Sequence, residues 1–374
     1  MSLKAGIVGL PNVGKSTLFN AITKKHILAA NYPFATIEPN VGVVIVPDER
    51  LDFLNALYNP KSLVPTSFEF TDIAGLVKGA SHGEGLGNKF LSHIRDVDAI
   101  VNVIRCFDNA EITHVEGRVD PIRDIEIINT ELILADLETI DNRINKLGKK
   151  MDMTKDKKEI LEANTLRKTK EALENSYCLR NVEFSSEEIE VLKPFNLITL
   201  KPVIYVANVD EDSAVIGDND YTKKVKEFAG NEGSGVIVMS CQVESDLSDL
   251  PDKEKKDFLQ EMGITNSGLD KLIYQTYSLL GLRTFFTAGT DEVRAWTFKQ
   301  GMKAPKCAGI IHTDFERGFI RAEVMSYSDL IEYGTELKVK ENGKMRLEGK
   351  DYEMQDGDIC YFRFNVWWMK KRNK

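Results

Sequence analysis

The chain has 374 residues, with 58 Asp and Glu against 49 Lys and Arg, for a formal net charge of -9. That length accommodates two or three domains, and the acidic balance excludes a generally basic nucleic-acid coat while leaving room for a local basic patch. No apolar run approaches the ~18 residues of a membrane span, and the five scattered cysteines, with no C-x-x-C pair, fit reduced thiols rather than a disulfide frame or a structural zinc. A strand begins almost at the first residue and leaves no space for a signal peptide, so a cytoplasmic protein is expected.

The strongest signal comes first in the chain. Leu3 to Val8 includes an apolar run with the look of a buried strand. It leads into Gly9-Leu10-Pro11-Asn12-Val13-Gly14-Lys15-Ser16-Thr17, the G-x-x-x-x-G-K-S pattern of a phosphate-binding P-loop. Helical spacing of Leu18, Ala21 and Ile22 follows. Strand, glycine-rich loop and helix start are the context that gives this pattern meaning. Gly9 and Gly14 let the backbone turn and aim its N–H groups at phosphate oxygens, and the new helix adds the positive end of its dipole. Lys15 is expected to reach the β- and γ-phosphates, and Ser16 to ligate Mg²⁺.

The polar, proline-containing stretch Asn31 to Asn40 reads as a loop, and Thr36 within it is a candidate to complete the Mg²⁺ shell. Val41 to Val46 is a β-branched strand. A further strand, Ser67 to Thr71, runs into Asp72-Ile73-Ala74-Gly75. This D-x-x-G places a carboxylate for a Mg²⁺-bound water and a backbone N–H at Gly75 for the γ-phosphate. The next position, where Ras-like GTPases carry the glutamine that orients the attacking water, is Leu76, which cannot hydrogen-bond. Hydrolysis therefore needs another group, or stays slow until something helps. The glycine-rich stretch 78–87 fails the spacing of a dinucleotide fingerprint.

Phe90 to Arg95 starts a helix and Ala99 to Cys106 reads as a buried strand. In the polar loop that follows, His114 is either a group near the phosphates or a loop histidine bonded to backbone. Beyond Asp120, apolar residues recur at helical spacing, break near Met151 to Lys158, and resume from Ile160 to Leu173. An antiparallel helical pair inserted in the α/β domain is expected. Arg143, Lys146, Lys149, Lys150, Lys155, Lys157 and Lys158 cluster near its tip, as a solvated face or as an electrostatic foot for RNA or an acidic partner.

Two more strand ends complete the first domain. Val203 to Ala207 ends in Asn208-Val209-Asp210-Glu211, and Gly235 to Met239 ends in Ser240-Cys241. These occupy the places of the base-reading N-K-x-D and S-A-K elements of a GTPase. Val209 replaces the lysine, and Glu211 replaces the aspartate with one extra methylene. Each charge-assisted bond to guanine is worth roughly 1.5–3 kcal/mol, so this device is damaged and ATP is favoured over GTP. After a last helix, 263–282, short strands at Ala308 to Ile311, Phe319 to Val324, Glu336 to Val339 and Asp358 to Phe364 predict a separate β-rich module. The tail from Trp367 is aromatic then basic, suited to RNA or a membrane surface, or simply disordered.

The blocks G-L-P-N-V-G-K-S-T, N-Y-P-F-A-T-I-E-P-N, D-I-A-G-L-V-K-G-A-S, N-V-D-E, E-V-R-A-W-T and I-H-T-D-F-E-R-G-F-I-R-A-E-V together closely resemble the YchF/Obg-like ATPase family, from about Gly6 to Val366. The resemblance implies an α/β fold: a Ras-like P-loop NTPase core, an inserted antiparallel helical (coiled-coil) arm and a C-terminal β-rich TGS domain. Residues 1–137 and 199–282 would form the NTPase domain, 138–198 the arm, 283–366 the TGS domain and 367–374 an extra tail. It implies ATP hydrolysis with GTP as a second nucleotide, Mg²⁺ held by Ser16, Thr36 and, through water, Asp72, and association with ribosomes or ribosomal RNA. Regulatory proteins are further expected partners, with roles in translation or stress regulation, and the chain is expected to be a monomer. Asn12, Val13, Gly14, Lys15, Ser16 and Thr17 would hold phosphates; Asn208, Val209, Glu211 and Ser240 would meet the base. Asn12 resembles the P-loop asparagine of potassium-stimulated relatives, which implies a K⁺ requirement. His114, in H-V-E-G, matches a histidine proposed as the family's catalytic substitute for the missing glutamine. Two readings remain open: an ATP-hydrolysing switch, or a nucleotide-gated binding module with negligible hydrolysis.

Overall fold

Up to residue 239 the chain forms strands β1 (Lys4–Val8), β2 (Val41–Ile45), β3 (Ser62–Val64), β4 (Ser67–Asp72), β5 (Ala99–Arg105), β6 (Val203–Asn208) and β7 (Gly235–Met239) among the described residues. The computed structural model describes residues 3–27, 41–73, 86–148, 155–261, 263 and 267–365. The chain divides into two units, residues 1–44 with 69–276 and residues 45–68 with 277–374.

The first unit is built on a six-stranded sheet in the order β2-β4-β1-β5-β6-β7. β1 runs parallel to β4 and β5, β5 to β6, and β6 to β7. β5 and β6 are buried along their whole length, as expected for central parallel strands covered on both faces. The register brings Asp72 level with Ile7, Arg105 with Asn208, and Asn208 with Met239. Each sequence motif therefore sits at the carboxyl end of a strand along one edge, the position where open α/β sheets bind ligands.

Helix Pro121–Leu147 starts with Asp120 as its cap, whose side chain accepts the Arg123 N–H, and with proline at its first position. Its first half packs on the unit's core through Ile125, Ile128 and Leu132. Its second half pairs with helix Lys157–Glu174 over Ile133, Ile140, Leu166 and Leu173. The ion pairs Arg143 with Glu162 and Asp141 with Lys170 run in opposite chain directions, so the pair is antiparallel. At its root, fully buried Asp136 accepts the N–H groups of Ile198 and Thr199 at 3.0 and 2.7 Å and the Thr199 hydroxyl at 2.7 Å. Burial pushes this carboxyl's pKa up, while those donors pull it back. Asn196 Nδ2 and Lys201 Nζ both donate to the Arg95 carbonyl, at 2.6 and 2.5 Å. Arg95 in turn donates to the Ala135 carbonyl and the Thr139 hydroxyl. Helix Leu86–Arg95 is thus fastened directly to the arm's root.

The second unit carries β8 (Leu282–Ala288), β9 (Glu292–Lys299), β10 (Phe319–Ser326), β11 (Arg346–Glu348) and β12 (Asp358–Phe364), in the sheet order β11-β10-β12-β8-β9-β3. Three expectations are corrected here. Residues 45–68, read from sequence as part of the NTPase domain, belong to this unit: β3 pairs with β9, and Leu51 and Leu54 pack with Phe286, Val293 and Ile359. Ala308 to Ile311 lies in helix Ala304–Ile311, begun by a proline in its first turn and burying Ala304, Cys307 and Ala308 at helical spacing. Glu336 to Val339 lies in helix Glu336–Glu341, capped by Thr335. Both segments are short apolar-polar runs whose period is ambiguous; the proline in the first turn favours the helix at 304–311, and the Thr335 cap favours it at 336–341.

Candidate functional site

The phosphate cradle follows from β1 turning into helix Lys15–Ile27. Gly14 adopts φ 103°, which L side chains avoid, and a Cβ there would collide with the Asn208 side chain. Gly9 passes close to β5: a Cβ would sit 2.6 Å from the Val103 carbonyl oxygen. Only glycine permits both close approaches. Asn12 also has positive φ, 62°, and its Nδ2 donates to the Thr113 carbonyl at 3.2 Å. Its Oδ1 has no partner among the described residues.

Lys15 is buried, and its ammonium donates to the Leu10 carbonyl at 2.6 Å. Burial lowers its pKa to about 8, while the Asp72 carboxylate pulls it upward. Asp72 is half-buried and its pKa is raised by burial, with Lys15 opposing. Each charge compensates the other only in part. A phosphate for Lys15 and a hydrated cation for Asp72 would complete that balance. Ser16 is exposed at the start of its helix and has no protein partner among the described residues. This donor set of hydroxyl and carboxylate oxygens suits Mg²⁺. Thr36, Gly75 and Leu76 lie outside the described residues.

Beside the cradle opens a cleft of about 660 Å³, within the range of small-molecule sites. It is lined by Asn12, Gly14 and Thr17, by Phe107, Asp108, Asn109 and Ile112, by Asn208 to Asp212, and by Ser240, Cys241 and Gln242. Asn208 ties three of these segments together: its Nδ2 donates to the Val13 carbonyl at 2.8 Å, and its Oδ1 accepts the Cys241 N–H at 2.9 Å. Val209 is buried, and Glu211 is exposed at the first turn of helix Glu211–Ile216, whose cap is Asp210. Ser240, which lines the cleft, is buried, and its hydroxyl caps helix Cys241–Leu247 by accepting the Val243 N–H.

The structure brings Asn12, Val13, Gly14, Lys15, Ser16, Thr17 and Asp72 to one end of the sheet, with Asn208, Val209, Glu211 and Ser240 beside them. His114 is placed differently. It is buried, with Nε2 2.9 Å from Asp124 Oδ2 and Nδ1 accepting the Glu116 N–H at 3.2 Å. The accepting Nδ1 puts the ring proton on Nε2, which donates to Asp124. Both nitrogens are thus engaged, and a part in catalysis requires the ring to leave Asp124. The sequence reading missed the segment 107–112 as a wall of the cleft. Its signal was Arg105, a charged residue closing a buried strand that is apolar but for Asn102.

The Ras-like strand order, the P-loop at the end of β1 and the cleft at the ends of β5 to β7 define a P-loop NTPase. Residues 4–136 match the family model described as 50S ribosome-binding GTPase, and residues 282–365 match YchF-GTPase_C, described as a protein of unknown function. Over 367 residues the chain is 60% identical to the Ribosome-binding ATPase YchF of Bacillus subtilis (strain 168), covering 98% of this chain and 100% of that one. It is 47% identical to Obg-like ATPase 1 of Caenorhabditis elegans, covering 98% and 93%. The solved YchF GTPase of Schizosaccharomyces pombe superposes with a TM-score of 0.88 at 44% identity, covering 97% and 98%. The chain belongs to the YchF family.

Proposed function

We propose that this chain is an ATP-binding and ATP-hydrolysing switch that associates with ribosomes, and that it accepts GTP more weakly. The carrying observation is the base cleft, where buried Val209 and exposed Glu211 stand in place of the lysine and aspartate that read guanine. Adenine lacks the donors that the aspartate would accept, so it loses nothing by their displacement. Lys15 and the P-loop amides hold the β- and γ-phosphates, whose charge favours the protonated form of Lys15. Ser16 and Thr36 would hold Mg²⁺ directly and Asp72 through water; when bound, the ion neutralises charge on the phosphates. The Gly75 N–H would sense the γ-phosphate. The Oδ1 of Asn12, without a partner among the described residues, would offer a K⁺ ion an acceptor.

Leu76 supplies no hydrogen bond to a water, and His114 is held by Asp124 and Glu116. Turnover without a partner is therefore slow. The same observation favours a second reading, a nucleotide-gated binding module with negligible hydrolysis. The relatives named for ribosome binding support the ribosome as partner. So do Lys146, Lys155, Lys157 and Lys158, exposed near the arm's tip, whereas Arg143 is paired with Glu162. The arm and the C-terminal domain, of TGS type, would dock on the ribosome or a regulatory protein. Phosphate release from ATP, measured alone and with ribosomes, tests the enzyme reading. Slow turnover raised by ribosomes is expected. No turnover in either condition leaves only the binding module.

A further inference from the structure

Arg105 is the last residue of β5 and only 2% exposed. Among the described residues no carboxylate lies within ion-pair distance of it. Its guanidinium spends its donors on three backbone carbonyls: Nε donates to Phe107 at 3.1 Å, Nη1 to Ile112 at 2.9 Å and Nη2 to Asn109 at 3.1 Å. The guanidinium carbon also lies 4.8 Å from the centroid of the Phe107 ring. Phe107, Asn109 and Ile112 all line the cleft, while Arg105 does not. The cation therefore stands behind the wall and gathers its backbone into one shape.

We propose that Arg105 is the positioning residue of the base cleft: by holding segment 107–112 it sets nucleotide affinity through the nucleoside and not through the phosphates. This rests on the reading of the cleft as a nucleotide site. A planar fork with five donors can serve three diverging carbonyls at once, which a lysine cannot match. A wall held before the ligand arrives saves the ordering cost that a loose one would add to binding. The segment has a second, outer clasp. Tyr221 donates its hydroxyl to Asp108 Oδ2 at 2.9 Å, and Asn219 Nδ2 donates to the Cys106 carbonyl at 2.8 Å. Cys106 N–H donates to the Asn208 carbonyl at 2.8 Å. These bonds keep β5 and the start of the loop in place when the guanidinium is removed, so the substitution acts on the wall rather than on the sheet.

The test is calorimetric titration of the full chain and its Arg105→Met and Arg105→Lys variants with MgATP and with magnesium tripolyphosphate, which has phosphates and no base. Arg105→Met is expected to weaken MgATP by about 10- to 100-fold and to leave tripolyphosphate within about twofold, with Arg105→Lys between it and the original. Tyr221→Phe, which loosens the outer clasp of the same wall, is expected to weaken MgATP in the same selective way by a few-fold; no loss there, or an equal loss for both ligands, overturns the premise that segment 107–112 sets affinity through the nucleoside, whether or not the Arg105 variants fold. An unchanged MgATP affinity in folded variants overturns the proposal, as does an equal loss for both ligands. If the unaltered chain binds MgATP no more tightly than tripolyphosphate, the nucleotide reading itself fails, and the proposal with it.

Discussion

The phosphate cradle and the base cleft lie side by side but are built in opposite ways. The cradle comes from one stretch, Gly9 to Thr17, in which each residue does its work through a local turn or helix start. The cleft is assembled from four stretches that lie far apart in the chain, near residues 12–17, 107–112, 208–212 and 240–242. Only the fold of the parallel sheet brings them together, and Asn208 pins three of them. Local construction suits a part that every triphosphate uses alike. Distributed construction suits the part that distinguishes one base from another, because separate segments can change independently.

The difference can be broken experimentally at the cradle first. Lys15→Ala is expected to weaken ATP and GTP alike by roughly 100-fold or more, since charge-assisted bonds to phosphate are lost irrespective of base. A loss confined to one nucleotide, seen by calorimetry, would contradict a base-blind cradle.

This contrast also explains what was legible in the sequence. The P-loop, Asp72 and the strand ends at Asn208 and Ser240 could be read because their spacing is local or stands at the end of an apolar run. The wall 107–112 could not, since nothing in its own residues announces a ligand; it is shaped by Arg105 behind it. The place of residues 45–68 in the second unit is illegible in the sequence for a similar reason. Their partners Val293 and Phe286 lie more than 200 positions away, and no periodicity reports such pairing. His114 was recognisable as notable, but its role depends on Asp124 and Glu116, which sequence spacing does not orient.

His114 sharpens the comparison from the loop side. His114→Ala leaves the buried Asp124 carboxyl with Arg123 as its one side-chain partner among the described residues, and is expected to cost about 1–3 kcal/mol of stability in denaturant unfolding. Turnover per bound nucleotide should not change. Slower turnover with unchanged stability would instead give the ring a catalytic part.

Glu211→Asp tests the cleft itself. Shortening the acid by one methylene is expected to shift the ratio of ATP to GTP affinity about tenfold toward GTP. An unaltered ratio would remove Glu211 from base reading.

The smallest effect is pH dependence. Burial holds Lys15 at about 8 in the free protein, below its ordinary 10.5, and bound phosphates would raise it. Between those values the bound form carries more protons, so affinity falls as pH rises, by about twofold at pH 8 and about tenfold at pH 9 relative to pH 7. The same sign rule makes the folding contribution of this lysine improve with pH over that window, because the unfolded chain holds the extra proton there. Proton uptake on binding, read from calorimetry in buffers of different ionisation enthalpy, should appear near pH 8, and its absence would contradict the desolvated lysine.

The most direct test of the account is the dissociation constants of the Mg²⁺ complexes of non-hydrolysable ATP and GTP analogues, measured by calorimetry on the full chain under identical conditions. Tighter binding of the ATP analogue is expected from Val209 and Glu211; tighter binding of the GTP analogue would contradict it.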